Sequence, residues 1–229
     1  MSKLDFVFDL GGSIVNPGKL SADFLQRFKE LVIHDVKEGK TFGITVGGGT
    51  PTRVYQSFLR ENFPVNNDDL DWVGIRFTRV NAELVRIMFK EYAYPMILES
   101  PEALLEYPNR YKIFIFSGWK PGWSTDYVAV LVAKRFNVKR IFSLTNIKGV
   151  HPVENGALLD GSIIPRLSWV EYEKMIAKEW IPGMRVPFDP VATKEAQREG
   201  IEVVILEGKR LLNLKNALDK KSFLGTIIS

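Results

Sequence analysis

The sequence predicts an α/β fold, a mostly parallel open sheet sandwiched by helices in three layers. Apolar runs of strand length alternate along the chain with segments of helical period, the pattern of βαβ units. Several of those strands run straight into glycine-containing loops that open a helix. The 229 residues, 45% hydrophobic and 25% charged, suit one large domain with a substantial core.

Leu4–Leu10 reads as a first buried strand ending in Gly11-Gly12-Ser13, and Ser21 caps a helix whose apolar stripe is Phe24, Phe28, Leu31 and Val32. Thr41–Val46 is a second strand running into Gly47-Gly48-Gly49, with Pro51 suited to the first position of the next helix. Asp68–Lys90 carries a helical period through Val73, Phe77, Val80, Leu84, Ile87 and Met88. Tyr94–Leu98 and Lys112–Phe116 read as strands flanking a short helix near Pro101–Leu105. The loop Ser117–Trp123 follows, and Ser124-Thr125-Asp126 opens another helix. Lys139–Leu144 is a fifth strand. Val150–Leu167, with Asn155-Gly156 and Asp160-Gly161, suggests a hairpin excursion. Helices fit Trp169–Lys178 and Pro190–Glu199; a strand fits Glu202–Leu206, and Gly225–Ile228 reads as a final edge strand.

Composition excludes several classes. The longest apolar run, Tyr127–Ala133, is far too short to span a bilayer, and the N-terminal segment has an acid inside its apolar stretch, unlike a signal peptide. With no cysteine there is no disulfide, thiolate metal site or cysteine nucleophile. A soluble, cytoplasmic protein is the expectation. The net charge of +4 is spread along the chain without a basic run, which argues against a nucleic-acid partner. No Ser-His-Asp set and no H-E-x-x-H spacing is present.

In an open parallel sheet, ligands bind beyond the carboxyl ends of the strands. Glycines there let backbone N–H groups approach phosphate oxygens, and a helix N-terminus adds positive potential. The loops match neither G-x-x-x-x-G-K-[ST] nor G-x-G-x-x-G, so the residues alone indicate phosphate binding without naming a reaction.

The wording of the segments goes further. FDLGGSIVNPG (Phe8–Gly18), ITVGGGTPTRVY (Ile44–Tyr55), DWVGIRFTRVNAEL (Asp71–Leu84), KPGWSTDYVAVLVA (Lys120–Ala133), LTNIKGV (Leu144–Val150), FDPVATKEAQREGI (Phe188–Ile201) and the terminal LGTIIS occur in this order. Together they resemble the amino acid kinase superfamily, and within it the UMP kinases of archaeal type. The resemblance implies the amino acid kinase-like fold as one domain, with an acceptor-binding lobe near residues 1–135 and an ATP-binding lobe near 136–229. It implies transfer of the γ-phosphoryl group of Mg²⁺-bound ATP to UMP, and a homo-oligomer, a hexamer built as a trimer of dimers.

By the same resemblance, Gly11 and Gly12 would hold the phosphoryl group in transit, with Asp189 organising the reacting groups and Lys194 nearby. Gly48, Gly49, Arg53, Asp71, Gly118, Ser124 and Thr125 would bind UMP. Ser13, Thr145, Asn146, His151 and Glu154 would contact ATP. Ordinary structural readings stand beside these: Asp189 before Pro190 is a good N-cap in any protein, and Arg53 is a plausible surface arginine.

The sequence also departs from the family pattern. Where many members read K-x-G-G, Asp9 replaces the lysine; Trp119 replaces a small hydroxyl residue, and Lys148 replaces an aspartate of the ATP loop. Lys120 is the expected substitute cation, and Glu154 the stand-in for an acid of the donor site. These departures keep two alternatives open: a noncatalytic nucleotide- or oxyanion-binding protein on the same fold, and a kinase for another small phosphorylated acceptor.

Overall fold

A computed structural model describes residues 3–106, 108–154, 157–158, 162–176, 181–182 and 186–229, with 153–154 and 157–158 as backbone only. Strands β1 (Phe6–Leu10), β2 (Phe42–Val46), β3 (Ile113–Phe116), β4 (Arg140–Thr145), β7 (Arg166–Leu167), β8 (Glu202–Glu207) and β9 (Thr226–Ile228) form one sheet in the order β3-β2-β1-β4-β8-β9-β7. Its first five strands are parallel, with Asp9 opposite Thr45 on one side and Ser143 on the other. β9 runs antiparallel to β8 and parallel to β7. A small ribbon of β5 (Val153–Glu154) and β6 (Ala157–Leu158) supplies the expected hairpin; its turn residues Asn155-Gly156, and Asp160-Gly161, lie outside the described residues.

Strands buried on both faces read as near-continuous apolar runs, which β1, β2, β3 and β4 are, interrupted by the buried Asp9, Thr45 and Ser143. Odd and even positions feed two separate cores. Phe8, Leu10, Phe42, Ile44 and Phe142 pack against helices α2 (Ala22–Lys37), α4 (Asn67–Met88) and α8 (Leu211–Leu218). Val7, Phe114, Phe116, Ile141 and Ile205 pack against α5 (Thr125–Arg135), α6 (Trp169–Glu173) and α7 (Pro190–Glu199). Each fully buried Phe, Leu or Ile stabilises the fold by roughly 1.5–3 kcal/mol. The three layers place α1 (Gly12–Val15) and α3 (Gly49–Asn62) beyond the carboxyl ends of β1 and β2.

Capping fixes where the helices begin. Ser21 Oγ accepts from Phe24 N, and Ser124 Oγ from Tyr127 N. Asn66 and Asp69 form a reciprocal capping box at the start of α4. Pro51 falls in the first turn of α3, two residues later than expected, because Gly48 is the N-cap.

Four expectations need correction. Tyr94–Leu98 is not a strand: it touches β3 through two isolated bridges, with Tyr94 N and Leu98 N donating to Ile113 O and Ile115 O, and Pro95 interrupts the ladder between them. No helix forms over Pro101–Leu105, a segment too short to offset helix nucleation; a 3₁₀ turn follows at Pro108–Arg110. The helix from Trp169 ends at Glu173. The C-terminal strand β9 is interior, since β7 takes the edge.

Candidate active site

The carboxyl ends of β1 and β2 meet in a backbone-to-backbone contact. A Cβ built on Gly12 would lie 2.0 Å from Gly49 N, and one on Gly47 would lie 2.4 Å from Gly12 N. Gly49 has φ +80°, so it serves the turn as well as the contact. Asn81, buried on α4, donates through Nδ2 to Gly47 O and Gly48 O at 2.8 and 2.9 Å, and its Oδ1 accepts from Asn16 Nδ2 at 3.2 Å. These bonds turn the loop carbonyls towards α4. Of the first-turn amides, Thr50 N donates to Asn16 O and Ile14 N to Gly11 O, while Gly12, Ser13 and Gly49 line the cleft.

That cleft has a volume of about 250 Å³ and is lined by Gly11, Gly12, Ser13, Gly48, Gly49, Arg53, Asp71, Gly118, Ser124, Thr125 and Asp189 among others. All seven residues expected at the acceptor are therefore in one place. Arg53 Nη2 donates to Thr50 Oγ1 at 3.0 Å. Asp71 Oδ2 accepts from Gly122 N at 2.7 Å, and Thr78 Oγ1 accepts from Gly118 N at 2.8 Å, tying the loop after β3 to α4. A second cavity, about 620 Å³, is lined by Ser13, Arg53, Thr145, Asn146, His151, Tyr172 and Val186 among others. Four of the five residues expected at ATP line it; the side chain of the fifth, Glu154, lies outside the described residues.

Asp189 does two jobs. Its Oδ1 caps α7 by accepting from Val191 N and Ala192 N at 2.7 and 2.9 Å, while Oδ2 accepts from Ser124 Oγ inside the cleft. Its own N–H donates to Asp126 Oδ2 at 2.8 Å. The Tyr172 hydroxyl bonds both the N–H and the carbonyl of Phe188 and so fixes the approach to Asp189. Asp126 and Asp9 complete a buried carboxylate cluster. Burial pushes the Asp9 carboxyl up to about 6, opposed by bonds from Ser143 and with Asp126. Burial, then repulsion from Asp9 and Asp189, pushes Asp126 well above the usual carboxylate range, and burial raises Asp189 as well.

Two expected cations are not brought to the cleft. Lys120 Nζ lies over the Trp119 and Trp123 rings, 4.3 and 4.0 Å from their centroids, in an aromatic stack continued by Tyr127. Lys194 is exposed on α7 and lines neither cavity. Asn81, Asn16, Asp126, Trp123 and Tyr172 were not singled out from sequence. Asn16, Asn81, Trp123 and Asp126 stand inside the quoted segments, which is the signal that could have found them; Tyr172 does not.

The amino acid kinase family model matches residues 6–207. The chain is 31% identical over 228 residues to a uridylate kinase of Methanocorpusculum labreanum, covering 97% of this chain and 94% of that one. It is 30% identical to a uridylate kinase of Sulfolobus acidocaldarius, covering 91% and 92%. The fold is that of a crystal structure of uridylate kinase from Archaeoglobus fulgidus, at TM-score 0.82 and 24% identity over 99% of this chain and all of that one. The chain belongs to the amino acid kinase family.

Proposed function

We propose that the protein is a UMP kinase: it transfers the γ-phosphoryl group of ATP to UMP, giving ADP and UDP. The observation that carries this reading is that two cavities adjoin at Ser13, Arg53 and Val186, the first of them lined by the Gly12–Gly49 contact, with near-full-length uridylate kinase relatives giving the nucleotides. The N-terminal half supplies most of the acceptor cleft, with Asp71 suited to ribose hydroxyls and Arg53 to the acceptor phosphate. The C-terminal half, through Thr145, Asn146 and His151, supplies the larger donor cavity. A noncatalytic binding role is disfavoured because Asp189 and Ser124 line the acceptor cleft rather than serving α5 and α7 as caps alone.

Among the described residues no set of three or more His, Cys, Asp or Glu could hold a metal ion. That suits Mg²⁺, which is commonly held by one or two carboxylates plus substrate phosphates. Asp126 and Asp189 line the cleft and would hold it, and a cation there would offset the burial that raises both carboxyls and the repulsion that further raises Asp126. When bound, Mg²⁺ neutralises charge on the phosphoryl oxygens. The chain's own part is positioning: amides of Gly12, Ser13, Gly48 and Gly49 face the phosphates, and Asp189 is held by the α7 amides and Ser124.

The test is ADP release with ATP over a panel of nucleoside monophosphates, with thermal shift alongside. UMP is expected to support turnover and raise Tm, since a ligand bound to the folded state alone stabilises it, whereas AMP does neither. Equal shifts from both, with no turnover, would return the protein to the noncatalytic alternative.

The homo-oligomer belongs to the same reading. Val54, Tyr55 and Phe58 on α3 are each more than half exposed, and Tyr55 packs edge-on against Phe77 of α4, giving one apolar face across both helices. Monomers rarely expose such a face. Light scattering is expected to give a multiple of the 26.1 kDa chain mass and Phe58→Glu to lower it; a monomeric wild type contradicts the assignment.

None of the helices of the described residues is long and apolar enough to cross a membrane.

A further inference from the structure

The loop from β3 to α5 is tied to α4 at two of its amides. Gly118 N donates to Thr78 Oγ1 at 2.8 Å, and Gly122 N donates to Asp71 Oδ2 at 2.7 Å. Between those ties the chain reads Trp119-Lys120-Pro121. Lys120 is exposed, yet its ammonium lies 4.3 Å from the centroid of the Trp119 ring and 4.0 Å from that of Trp123. Each indole is itself anchored. Trp119 packs against the buried core, and Trp123 meets the Tyr127 ring of α5 almost at right angles, 4.6 Å between centroids. Gly122 has φ +81°, and the ring of Pro121 fixes its own φ, so the chain turns here with little freedom.

We infer that Lys120 is a positioning residue for the acceptor nucleotide. Its ammonium clamps Trp119 to Trp123, the clamp keeps the loop folded against α4, and the folded loop brings Gly122 N to Asp71. The inference rests on the kinase reading and on Asp71 as the residue for the ribose hydroxyls. A cation over an indole is attracted by the negative face of the ring. Here one ammonium serves the rings on both sides of it in sequence, so it draws together a segment that an exposed loop would otherwise leave free, and opposes the entropy of that freedom. Asp71 lines the acceptor cleft, and the bond from Gly122 N helps set the direction of its carboxylate. The charge of Lys120 therefore acts on acceptor binding through the loop, in the ground state and the transition state alike. Such an interaction is read in KM and not in kcat.

The test divides the defect between kcat and KM and asks whether it passes through Asp71. Lys120→Met keeps a long side chain and removes the charge, at an exposed position where folding is not at stake. It is expected to raise the KM for UMP roughly 5–10-fold, the scale of a cation–π contact, and to leave kcat within about twofold. Lys120→Arg, whose guanidinium also lies well over indoles, is expected to restore most of the loss. In an Asp71→Ala background, Lys120→Met is expected to add less than about twofold to KM, because two residues acting in series are not additive. The intrinsic tryptophan fluorescence of Lys120→Met should differ from that of the wild type, since a charge has left two indole faces, while the far-UV circular dichroism should match.

If Lys120→Met instead lowers kcat by roughly 10² at unchanged KM, the ammonium leaves the rings to serve the phosphoryl group, and the proposal is wrong. If the KM defect is as large without Asp71 as with it, the clamp does not act through that carboxylate, and the proposal is wrong while the kinase reading stands. An unaltered KM, unaltered fluorescence or a failure of Lys120→Arg to rescue would each show that the loop folds without the cation on its rings. If the wild type itself transfers no phosphoryl group to UMP, the kinase reading fails and the proposal falls with it.

Discussion

Gly12→Ala is expected to abolish phosphoryl transfer while leaving most of the fold intact. The new methyl group would stand 2.0 Å from Gly49 N, 2.6 Å from Gly49 Cα and 2.7 Å from Gly47 C. All three neighbours are backbone, so no rotamer change can relieve the clash, and the β1 and β2 loops must separate by an ångström or more. Their positions are tightly held: Gly11 N donates to Leu144 O at 2.9 Å, Gly47 N to Leu10 O at 3.0 Å, and Asn81 clips both loop carbonyls. Separation therefore breaks loop bonds and misplaces the amides proposed to bind the phosphates. A displacement of about 1 Å in a positioning element can cost on the order of 10²-fold, and here both sides of the proposed phosphate cradle move. A fall in kcat/KM of at least roughly 10³ is expected, with Tm lowered and the circular dichroism spectrum still that of an α/β protein. Gly39→Ala is the informative contrast. Gly39 also has positive φ, +89°, but nothing lies within 4 Å of its added Cβ, so it should lose some stability and no activity. Activity of Gly12→Ala within threefold of wild type would mean that the two loops do not pack as described.

The difference between these glycines marks how much could be read from the sequence. Glycines between a strand and a helix announced the cleft, because strand ends and helix starts are local patterns. The contact between the two loops is not local: it depends on β1 and β2 being neighbours, which spacing alone does not dictate. The same limit hid the partners of Asp9. Its replacement of a family lysine was visible, but Ser143 is 134 residues away, and it becomes a neighbour only through the β1–β4 register. Lys120 shows a different limit. A cation beside a glycine-rich loop suggested charge stabilisation, yet Trp119 and Trp123 flank it closely enough to take the ammonium onto their ring faces. Lys194 was decidable in principle. Five residues beyond Asp189 at about 100° per residue put it well round the helix from the N-cap, and the structure has it exposed there. Pro95 argues from sequence alone against a strand at Tyr94–Leu98, while the apolar residues around it argue for one.

Asp9→Asn is expected to stabilise the protein, and to do so in a way that depends on pH. Asp9 sits on β1 facing α5 and α7, with Thr45 of β2 and Ser143 of β4 as its sheet neighbours and the carboxyls of Asp126 and Asp189 opposite. Burial raises its carboxyl to about 6 from an ordinary 3.8. The folded protein therefore binds a proton more tightly than the unfolded chain does. Between pH 4 and pH 6 the folded state holds more protons, so stability falls as pH rises through this window and is flat above it. At pH 8 the ionised, buried carboxylate costs on the order of 2–3 kcal/mol, an upper figure because the neighbouring acids titrate with it. An asparagine at this position keeps the shape and an oxygen to accept from Ser143 Oγ, now 3.0 Å from Asp9 Oδ2, while its amide can donate towards Asp126. It also removes one of three clustered ionisable carboxyls. Thermal unfolding should show a gain of roughly 4–8 °C at pH 8, about half that at pH 5, and little at pH 4. An equal gain at every pH would place the effect in packing rather than in the proton, and a loss at pH 8 would show that the Asp9 charge is itself balanced by a cation in the folded protein.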